Sequence, residues 1–174
     1  MVEGIGRSRR RRLVMLAAER SRDPKVIEKL AADGTDFNLS GDEGYSPLDF
    51  AVTHNPNPEA IRAIVKAALG PNPRDEDIEI YALTAATFNP SPKVLAVLLE
   101  SGFDPDRGEW TLDDLLLAAS GENTNPEIIK MLISRGADID SRNDDGMTPL
   151  MKAAMRNRNP QVILTLLEVG ADPS

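Results

Sequence analysis

The chain has 174 residues, of which 41% are hydrophobic and 28% charged, and its formal net charge is −8. These values are typical of a globular domain with its own core and exclude a disordered chain. The absence of cysteine excludes disulfide bonds and thiolate metal sites. Because only 4% of the residues are aromatic, we expect a core of leucine, isoleucine, valine and alanine, as in packed helices.

The N-terminus joins a basic stretch to a short apolar one. Residues 7–12 contain five arginines, and residues 13–18 read Leu-Val-Met-Leu-Ala-Ala. This apolar stretch is shorter than the roughly 7–15 residues of a signal-peptide core. No apolar run of the chain approaches the roughly 20 residues of a membrane span. We therefore predict a cytoplasmic protein with neither a signal peptide nor a membrane-spanning segment.

The same arginines leave open a contact with nucleic acid or with an anionic membrane surface. Five arginines and one glutamate give residues 1–12 a charge of +4, so the rest of the chain carries about −12. An acidic body repels phosphate backbones, and no aromatic residues interleave the arginines. We therefore favour a basic face on the first helix over nucleic-acid binding, and we expect a protein partner with basic patches.

A period of 34 residues runs through the chain and defines one set of helices. Each unit contains a proline preceded by a helix-capping residue, in the pairs Asp23-Pro24, Asn57-Pro58, Ser91-Pro92, Asn125-Pro126 and Asn159-Pro160. Isoleucine or leucine follows three residues after each proline and again three residues later, which predicts a short helix with one apolar stripe. Glycine such as Gly170 is expected to end the helix in the left-handed conformation. We call these the outer helices.

A second helix precedes each outer helix, and we call this set the inner helices. Ser46-Pro47-Leu48 and Thr148-Pro149-Leu150 begin two of them, and Ser46 with Asp49 has the form of a capping box. Short helices are marginally stable alone, so the pattern predicts stacked pairs that bury their apolar faces against one another. Five pairs are expected, at about 9–34, 46–68, 76–102, 111–136 and 148–170.

The third and fourth units depart from this pattern. Their capping residues lie about three residues earlier, at Asp77 and at Thr111 with Asp114, which predicts inner helices longer by about a turn. Pro71-Asn72-Pro73 and Asp104-Pro105-Asp106 stand where the other units carry turn sequences. We therefore predict irregular loops before these two inner helices.

The segment 144–154, Asp-Asp-Gly-Met-Thr-Pro-Leu-Met-Lys-Ala-Ala, resembles the core of the ankyrin repeat. Residues 42–51 are a second match, and Gly-Ala-Asp at 136–138 and 170–172 fits the end of a repeat. The family period is about 33 residues, so the extra residue is expected in the Asn-Pro loop between the two helices. The resemblance implies an all-α, ankyrin-type solenoid of stacked helix-turn-helix repeats. Short β-hairpins or irregular loops, the fingers, would connect the repeats.

The resemblance covers nearly the whole chain and implies a single ankyrin repeat domain over residues 1–174. Its repeats are expected at about 9–35, 36–69, 70–103, 104–137 and 138–174. The first repeat has no finger, and its arginine-rich start is interpreted as the polar cap of an array.

In ankyrin arrays, the finger tips and the exposed ends of the inner helices line a concave binding surface. Carried over by position, the resemblance implies a partner-binding set of Asp42, Glu43, Tyr45, Thr53, His54, Phe88, Trp110, Arg142, Asp144, Asp145, Met147, Met155 and Arg156. Exposed aromatic residues and arginines are frequent interface anchors. Tyr45 and Met147 are the preferred anchors, whereas Phe88 and Trp110 equally suit gaps left by irregular fingers. The predicted function is a protein–protein interaction module, with a regulatory or scaffold fragment of a larger protein as the alternative.

No motif predicts catalysis, a cofactor or a metal site. His54 is the one histidine and has no catalytic partner evident in the sequence, so it is interpreted as a surface or loop-packing residue. The acidic cluster Asp138, Asp140, Asp144 and Asp145 does not match the spacing of a calcium loop and is expected to be a solvated turn. We therefore predict that the protein is not an enzyme.

Overall fold

The computed structural model describes residues 2–38, 40, 44–71 and 73–173, with the side chains of residues 2–9, 75 and 76 excepted. The described residues form ten α-helices and no β-strand. In chain order they are α1 (Val2–Arg20), α2 (Pro24–Ala32), α3 (Pro47–His54), α4 (Pro58–Leu69), α5 (Asp75–Phe88), α6 (Pro92–Glu100), α7 (Leu112–Glu122), α8 (Pro126–Ser134), α9 (Pro149–Arg156) and α10 (Pro160–Glu168).

The helices lie in two layers that follow the predicted pairs. The inner helices α1, α3, α5, α7 and α9 each pack on the next, and the outer helices α2, α4, α6, α8 and α10 do the same. Within each pair, the inner helix packs on its own outer helix. The principal contacts therefore join sequence neighbours, as in a solenoid, and the predicted all-α stack is confirmed.

The outer helices begin as the proline column predicts. Proline occupies the first turn of all five, where its missing N–H is not needed. The capping side chain accepts a hydrogen bond from the first turn in four of them, and Ser91 is the exception. Gly170 has a φ of 106°, which only glycine adopts without strain, and it terminates α10 as predicted.

The inner helices confirm one predicted capping residue in the irregular units and correct the other. Thr111 and Asp114 form the predicted capping box, in which Asp114 Oδ2 accepts from the Thr111 N–H at 2.9 Å. Asp77 does not cap α5, because α5 begins two residues earlier and its N-cap position is Arg74. Asp77 instead lies in the first turn and pairs with Arg74, with Nε and Oδ2 2.9 Å apart. This carboxylate stabilises the positive end of the helix dipole without capping it.

Both irregular units have longer inner helices, as predicted. The inner helix has 14 residues in α5 and 11 in α7, against 8 in α3 and α9. The helix α1 is longer still, with 19 residues, and begins seven residues before its predicted start near residue 9. None of the helices in the described part of the chain has the length and hydropathy that crossing a bilayer requires.

The fingers that the structure describes are turns rather than hairpins with strands. In the last finger, the Asn143 and Met147 backbones are joined by a 3.2 Å hydrogen bond, and Asn143 Oδ1 accepts from the Met147 N–H at 2.8 Å. In the preceding finger, the Gly108 N–H donates to the Asp104 carbonyl at 3.1 Å. An irregular loop was predicted for the finger before α7, and the structure has irregular loops in both fingers.

A column of four asparagines, of which the first three are buried and the last is half-buried, joins successive units through the loop between inner and outer helix. Asn55, Asn89, Asn123 and Asn157 are spaced by 34 residues, and each Nδ2 donates to two backbone carbonyls of the preceding unit at 2.7–3.0 Å. Each Oδ1 accepts the N–H two residues ahead at 2.9 Å. We call this the asparagine ladder. It satisfies helix-end carbonyls that would otherwise be buried without partners.

Apolar columns of the repeat form the core between the two layers. Ile27, Ile61, Leu95 and Ile129 of the outer helices are fully buried, as are Ile64, Leu98, Leu132 and Leu166. Alanines occupy the inner-helix column, where Ala51, Ala85, Ala119 and Ala153 have no exposed surface. Small side chains at these positions let consecutive inner helices approach closely, as the sequence predicts.

Candidate binding surface

Two rows of side chains run across the exposed side of the inner helices α3, α5, α7 and α9, with one residue from each of these four helices in each row. The half-buried row is Phe50, Thr84, Ala118 and Lys152, and the exposed row is His54, Phe88, Glu122 and Arg156. We call these two rows the inner-helix face. Within a helix, the two residues are four apart and so lie on one side. The side chains of the inner-helix face change along the stack. Aromatic side chains lie on α3 and α5, whereas small or charged side chains lie on α7 and α9.

Aromatic rings surround a groove of about 460 Å³ between α3 and α5. The Phe50 ring meets the Tyr45 ring edge to face at a centroid distance of 6.0 Å. It also lies nearly parallel to the His54 ring, with centroids 5.9 Å apart. Phe88 closes the groove from α5 and is 59% exposed, while Tyr45 is 57% exposed. We call this space the aromatic groove.

The polar groups of the aromatic groove are Asp49, Thr53 and Thr84, together with the Tyr45 hydroxyl and the His54 ring nitrogens. Asp49 Oδ2 accepts from the Ser46 N–H at 2.6 Å and from the Ser46 hydroxyl at 2.7 Å. The hydroxyls of Thr53 and Thr84 donate to backbone carbonyls one turn earlier, at 2.8 and 2.7 Å. These polar side chains are therefore held in place by their own helices.

Tyr81 lies on α5 beside this groove, near Asp49 and Ser46. Burial, and then the negative charge of Asp49, raises the pKa of Tyr81 to about 12. Its hydroxyl donates to Asn38 Oδ1 at 3.4 Å, a long hydrogen bond. Tyr81 is therefore neutral over the physiological range and acts as a hydrogen-bonding packing residue under the groove.

A second pocket, of about 680 Å³, lies between α5 and the finger that precedes α7. Trp110 and Ile80 supply its apolar walls, and its charged residues are Arg74, Glu79, Arg107 and Glu109. Ile80 is 58% exposed, whereas Trp110 is half-buried. Arg107 pairs with Asp104 within the finger, with Nε and Oδ2 3.5 Å apart.

Glu79 holds that finger against α5. The side chain is only 4% exposed, and its Oε2 accepts from the Glu109 N–H at 3.0 Å. Its Oε1 has no hydrogen-bond partner and packs against Gly108, where an added Cβ would overlap the carboxylate. A side chain at this point of the finger would therefore force either the buried carboxylate or the finger to shift.

The candidate residues of the last repeat lie farther along the stack. Arg156 pairs with Glu122 of the preceding inner helix, with Nη1 and Oε1 3.5 Å apart, and Met155 is 71% exposed. Arg142 Nη1 donates to the Gly146 carbonyl at 3.0 Å and so braces the last finger. Asp144 and Asp145 are exposed at its turn, and Met147 is half-buried.

The structure thus brings together four residues of the predicted set, and the other described members of the set lie outside the aromatic groove. Tyr45, Thr53, His54 and Phe88 line the aromatic groove, while Trp110 lines the second pocket. Asp42 and Glu43 lie outside the described residues. His54 stacks on Phe50, and its Nδ1 is 3.3 Å from the Phe50 carbonyl.

Sequence reasoning missed Phe50, Asp49 and Thr84 as groove residues. The available signal was helical spacing, because Phe50 lies one turn before His54 and Thr84 lies one turn before Phe88. It also missed the asparagine ladder, although its 34-residue spacing is visible in the sequence. Each asparagine of the ladder lies three residues before a proline of the neighbouring column.

Within its described residues, the arginine-rich start contacts the loop after α2. Arg10 Nη2 donates to the Asp33 carbonyl at 3.0 Å, and Arg11 Nη2 donates to the Ser40 carbonyl. Both acceptors lie after α2, so these arginines tie α1 to the loop that leaves the first helix pair.

Two layers of stacked helix pairs with short connecting turns define an α-solenoid repeat protein. A family model described as ankyrin repeats (3 copies) matches residues 83–174, which is more than half of the chain. The chain belongs to the ankyrin repeat family. A comparison with curated proteins finds no match. Ankyrin repeats are in general protein–protein interaction modules built on a non-catalytic fold.

Proposed function

We propose that this protein binds a protein partner through the inner-helix face, with the aromatic groove as the centre of the contact. The observation that carries the proposal is the exposure of Tyr45 and Phe88. Each leaves more than half of a large side chain in solvent, and both line the same groove. Clustered exposed aromatics in a concave site are typical interface anchors.

The fold supports this proposal because it presents the groove rigidly. The groove residues belong to α3 and α5, and both helices are packed into the stack. The asparagine ladder fixes the end of α5, since Asn89 Nδ2 donates to the Val52 and Asn55 carbonyls at 2.7 and 3.0 Å. A preorganised site loses little conformational entropy on binding. The charged residues in the later repeats, including Arg142, Asp144, Asp145 and Arg156, are proposed as the polar periphery of the contact.

The test is quantitative affinity capture followed by mass spectrometry, with the full chain as bait. We expect Tyr45→Ala with Phe88→Ala to reduce capture of specific partners by at least about tenfold, because each hot-spot truncation costs roughly 1–2 kcal/mol or more of binding free energy. The melting temperature should stay nearly unchanged, since both side chains are largely exposed.

Leu164→Ala is the matched control, because Leu164 is 47% exposed but lies on the outer helix α10. Its capture profile should equal that of the wild type. Equal capture by the Tyr45/Phe88 variant and the wild type would refute the aromatic groove as the contact centre.

A further inference from the structure

We propose that the aromatic groove receives a lysine or arginine side chain carried by the protein partner. This inference rests on the proposed function and names the chemistry that the groove recognises. It follows from three properties of the groove, which are its rings, its hydrogen-bonding groups and its charge.

The rings favour a cation. Tyr45, Phe50 and Phe88 are three of the residues that line the groove, and the His54 ring extends the aromatic surface. Aromatic faces carry partial negative charge and attract an ammonium or guanidinium group that lies within about 6 Å of a ring centre. The stems of lysine and arginine are apolar, so they also match the apolar walls.

The hydrogen-bonding groups favour a donor. The Thr53 and Thr84 hydroxyl hydrogens point to the Asp49 and Ile80 carbonyls, so only their oxygen lone pairs are left for a ligand. His54 Nδ1 faces the Phe50 carbonyl, which can only accept, so in the neutral ring Nε2 is an acceptor. The ionised Asp49 carboxylate can only accept hydrogen bonds. Among these groups only the Tyr45 hydroxyl can donate, and a ligand carboxylate or phosphate would therefore meet mainly acceptors.

The charge of the groove and of the chain favours the same ligand. Asp49 is the one charged side chain that lines the groove within the described residues. Its hydrogen bonds within the capping box all end on Oδ2. The formal net charge of −8 attracts a basic partner over a longer range. A leucine or phenylalanine side chain would suit the rings but would cover Asp49 without replacing its hydration.

The test uses short glycine–serine peptides that carry one central side chain, titrated into the isotopically labelled full chain and followed by amide chemical shifts. The central residue is arginine, lysine, their neutral counterparts citrulline and norleucine, or glutamate. We expect the arginine or lysine peptide to shift the amides of α3 and α5. The neutral counterparts should bind at least about threefold more weakly and the glutamate peptide more weakly still.

Asp49→Asn and Asp114→Asn form a matched pair of variants. Both residues occupy the third position of a capping box, so both substitutions should lower the melting temperature similarly. Of these two aspartates, only Asp49 lines the aromatic groove. Asp49→Asn should weaken the arginine or lysine peptide by at least about threefold, and Asp114→Asn should leave its affinity unchanged. Phe88→Leu, which keeps an apolar side chain but removes the ring, should also weaken it.

Three results would overturn the assignment. They are equal affinity for the charged peptides and their neutral counterparts, preference for glutamate, and the absence of any shift in α3 and α5. None of these results would affect the capture experiment with Tyr45→Ala and Phe88→Ala. If capture is lost in that variant while the peptides show no charge preference, the groove is an apolar contact site and only the cation assignment fails.

Discussion

Asn89 shows how much a single side chain contributes to this stack. It has no exposed surface, its Nδ2 donates to the Val52 and Asn55 carbonyls, and its Oδ1 accepts from the Ser91 N–H. One amide group therefore fixes the turn of its own unit and joins that unit to the one before. Asparagine suits this position because its side chain carries both a double donor and an acceptor at one short distance from the backbone.

We predict that Asn89→Ala lowers the free energy of unfolding by roughly 2–5 kcal/mol, because it leaves buried carbonyls and an N–H group without partners. Chemical denaturation measures this change. Asp23→Ala is the control, since Asp23 is an exposed helix cap whose carboxylate accepts from the Lys25 N–H, and its loss should cost about 1 kcal/mol. Equal losses in the two variants would show that the ladder adds nothing beyond capping.

The ionisation of Tyr81 makes the stability of the protein depend on pH. Its pKa is raised to about 12, first by burial and then by Asp49, whereas an unfolded chain has a tyrosine pKa of about 10. The folded state therefore holds this proton more tightly. No stability change arises below the unfolded pKa, and stability falls as the pH rises from about 10 to about 12.

The chain has two tyrosines, so Tyr45→Phe leaves Tyr81 as the sole source of tyrosinate absorbance. In that variant we expect a titration midpoint near 12 under native conditions and near 10 in denaturant. A native midpoint at the unfolded value would mean that the hydroxyl is fully hydrated.

Among the elements, the finger before α7 departs from the regular repeat, and its contact with a buried glutamate explains how it is held. Gly108 contacts the buried Glu79 carboxylate, and Glu79 also accepts from the Glu109 N–H. The finger is thus attached to α5 of the preceding unit rather than folded as a hairpin. This attachment sets the position of Trp110 at the second pocket.

We predict that Gly108→Ala destabilises the protein by about 1–3 kcal/mol, because the new Cβ overlaps the Glu79 carboxylate and the finger must move. Thermal unfolding and Trp110 fluorescence report the two effects. Gly121→Ala is the control, because Gly121 lies inside α7 and its added Cβ would meet only Arg156 Cδ at 3.9 Å. That substitution should stabilise the helix by about 0.5–1 kcal/mol, and a loss there similar to that at Gly108 would contradict the proposed contact.

The helices themselves were largely predictable. A proline after a capping residue begins every outer helix, and a capping box begins α3 and α7, because these signals act within a few residues along the chain. The predicted cap of α5, Asp77, was wrong by three residues. Arg74 and Asp77 together replace a capping side chain there, and an ion pair of this kind leaves no fixed sequence pattern.

Across the whole molecule, each unit depends on its neighbours for burial. In one outer-helix column Ala60, Val94, Ile128 and Val162 are fully buried, but Val26 of the first unit is 42% exposed. In one inner-helix column Ala18, Val52, Ala86 and Ser120 are fully buried, but Ala154 of the last unit is exposed. A side chain at the same position of the repeat therefore contributes differently to the free energy of unfolding in the middle of the stack and at its ends.

Val26 and Val94 test this dependence directly, because they share a column and a residue type. We expect Val94→Ala to lower the free energy of unfolding by roughly 2–4 kcal/mol, since it removes fully buried methyl groups. Val26→Ala should lower it by less than about 1 kcal/mol. Similar losses would show that the first unit is packed as tightly as a central one and would contradict the exposure of Val26.

The sequence by itself determined the repeat, the two helix layers and the buried columns, because a 34-residue period and helix caps are local signals repeated five times. It placed Tyr45, Thr53, His54 and Phe88 on a binding surface through the resemblance alone. Only the tertiary structure decided that these four share one groove with Phe50 and Asp49, whereas Trp110 lines another pocket. The physical reason is that the groove lies between consecutive inner helices, and its width depends on how closely their alanine columns let them pack.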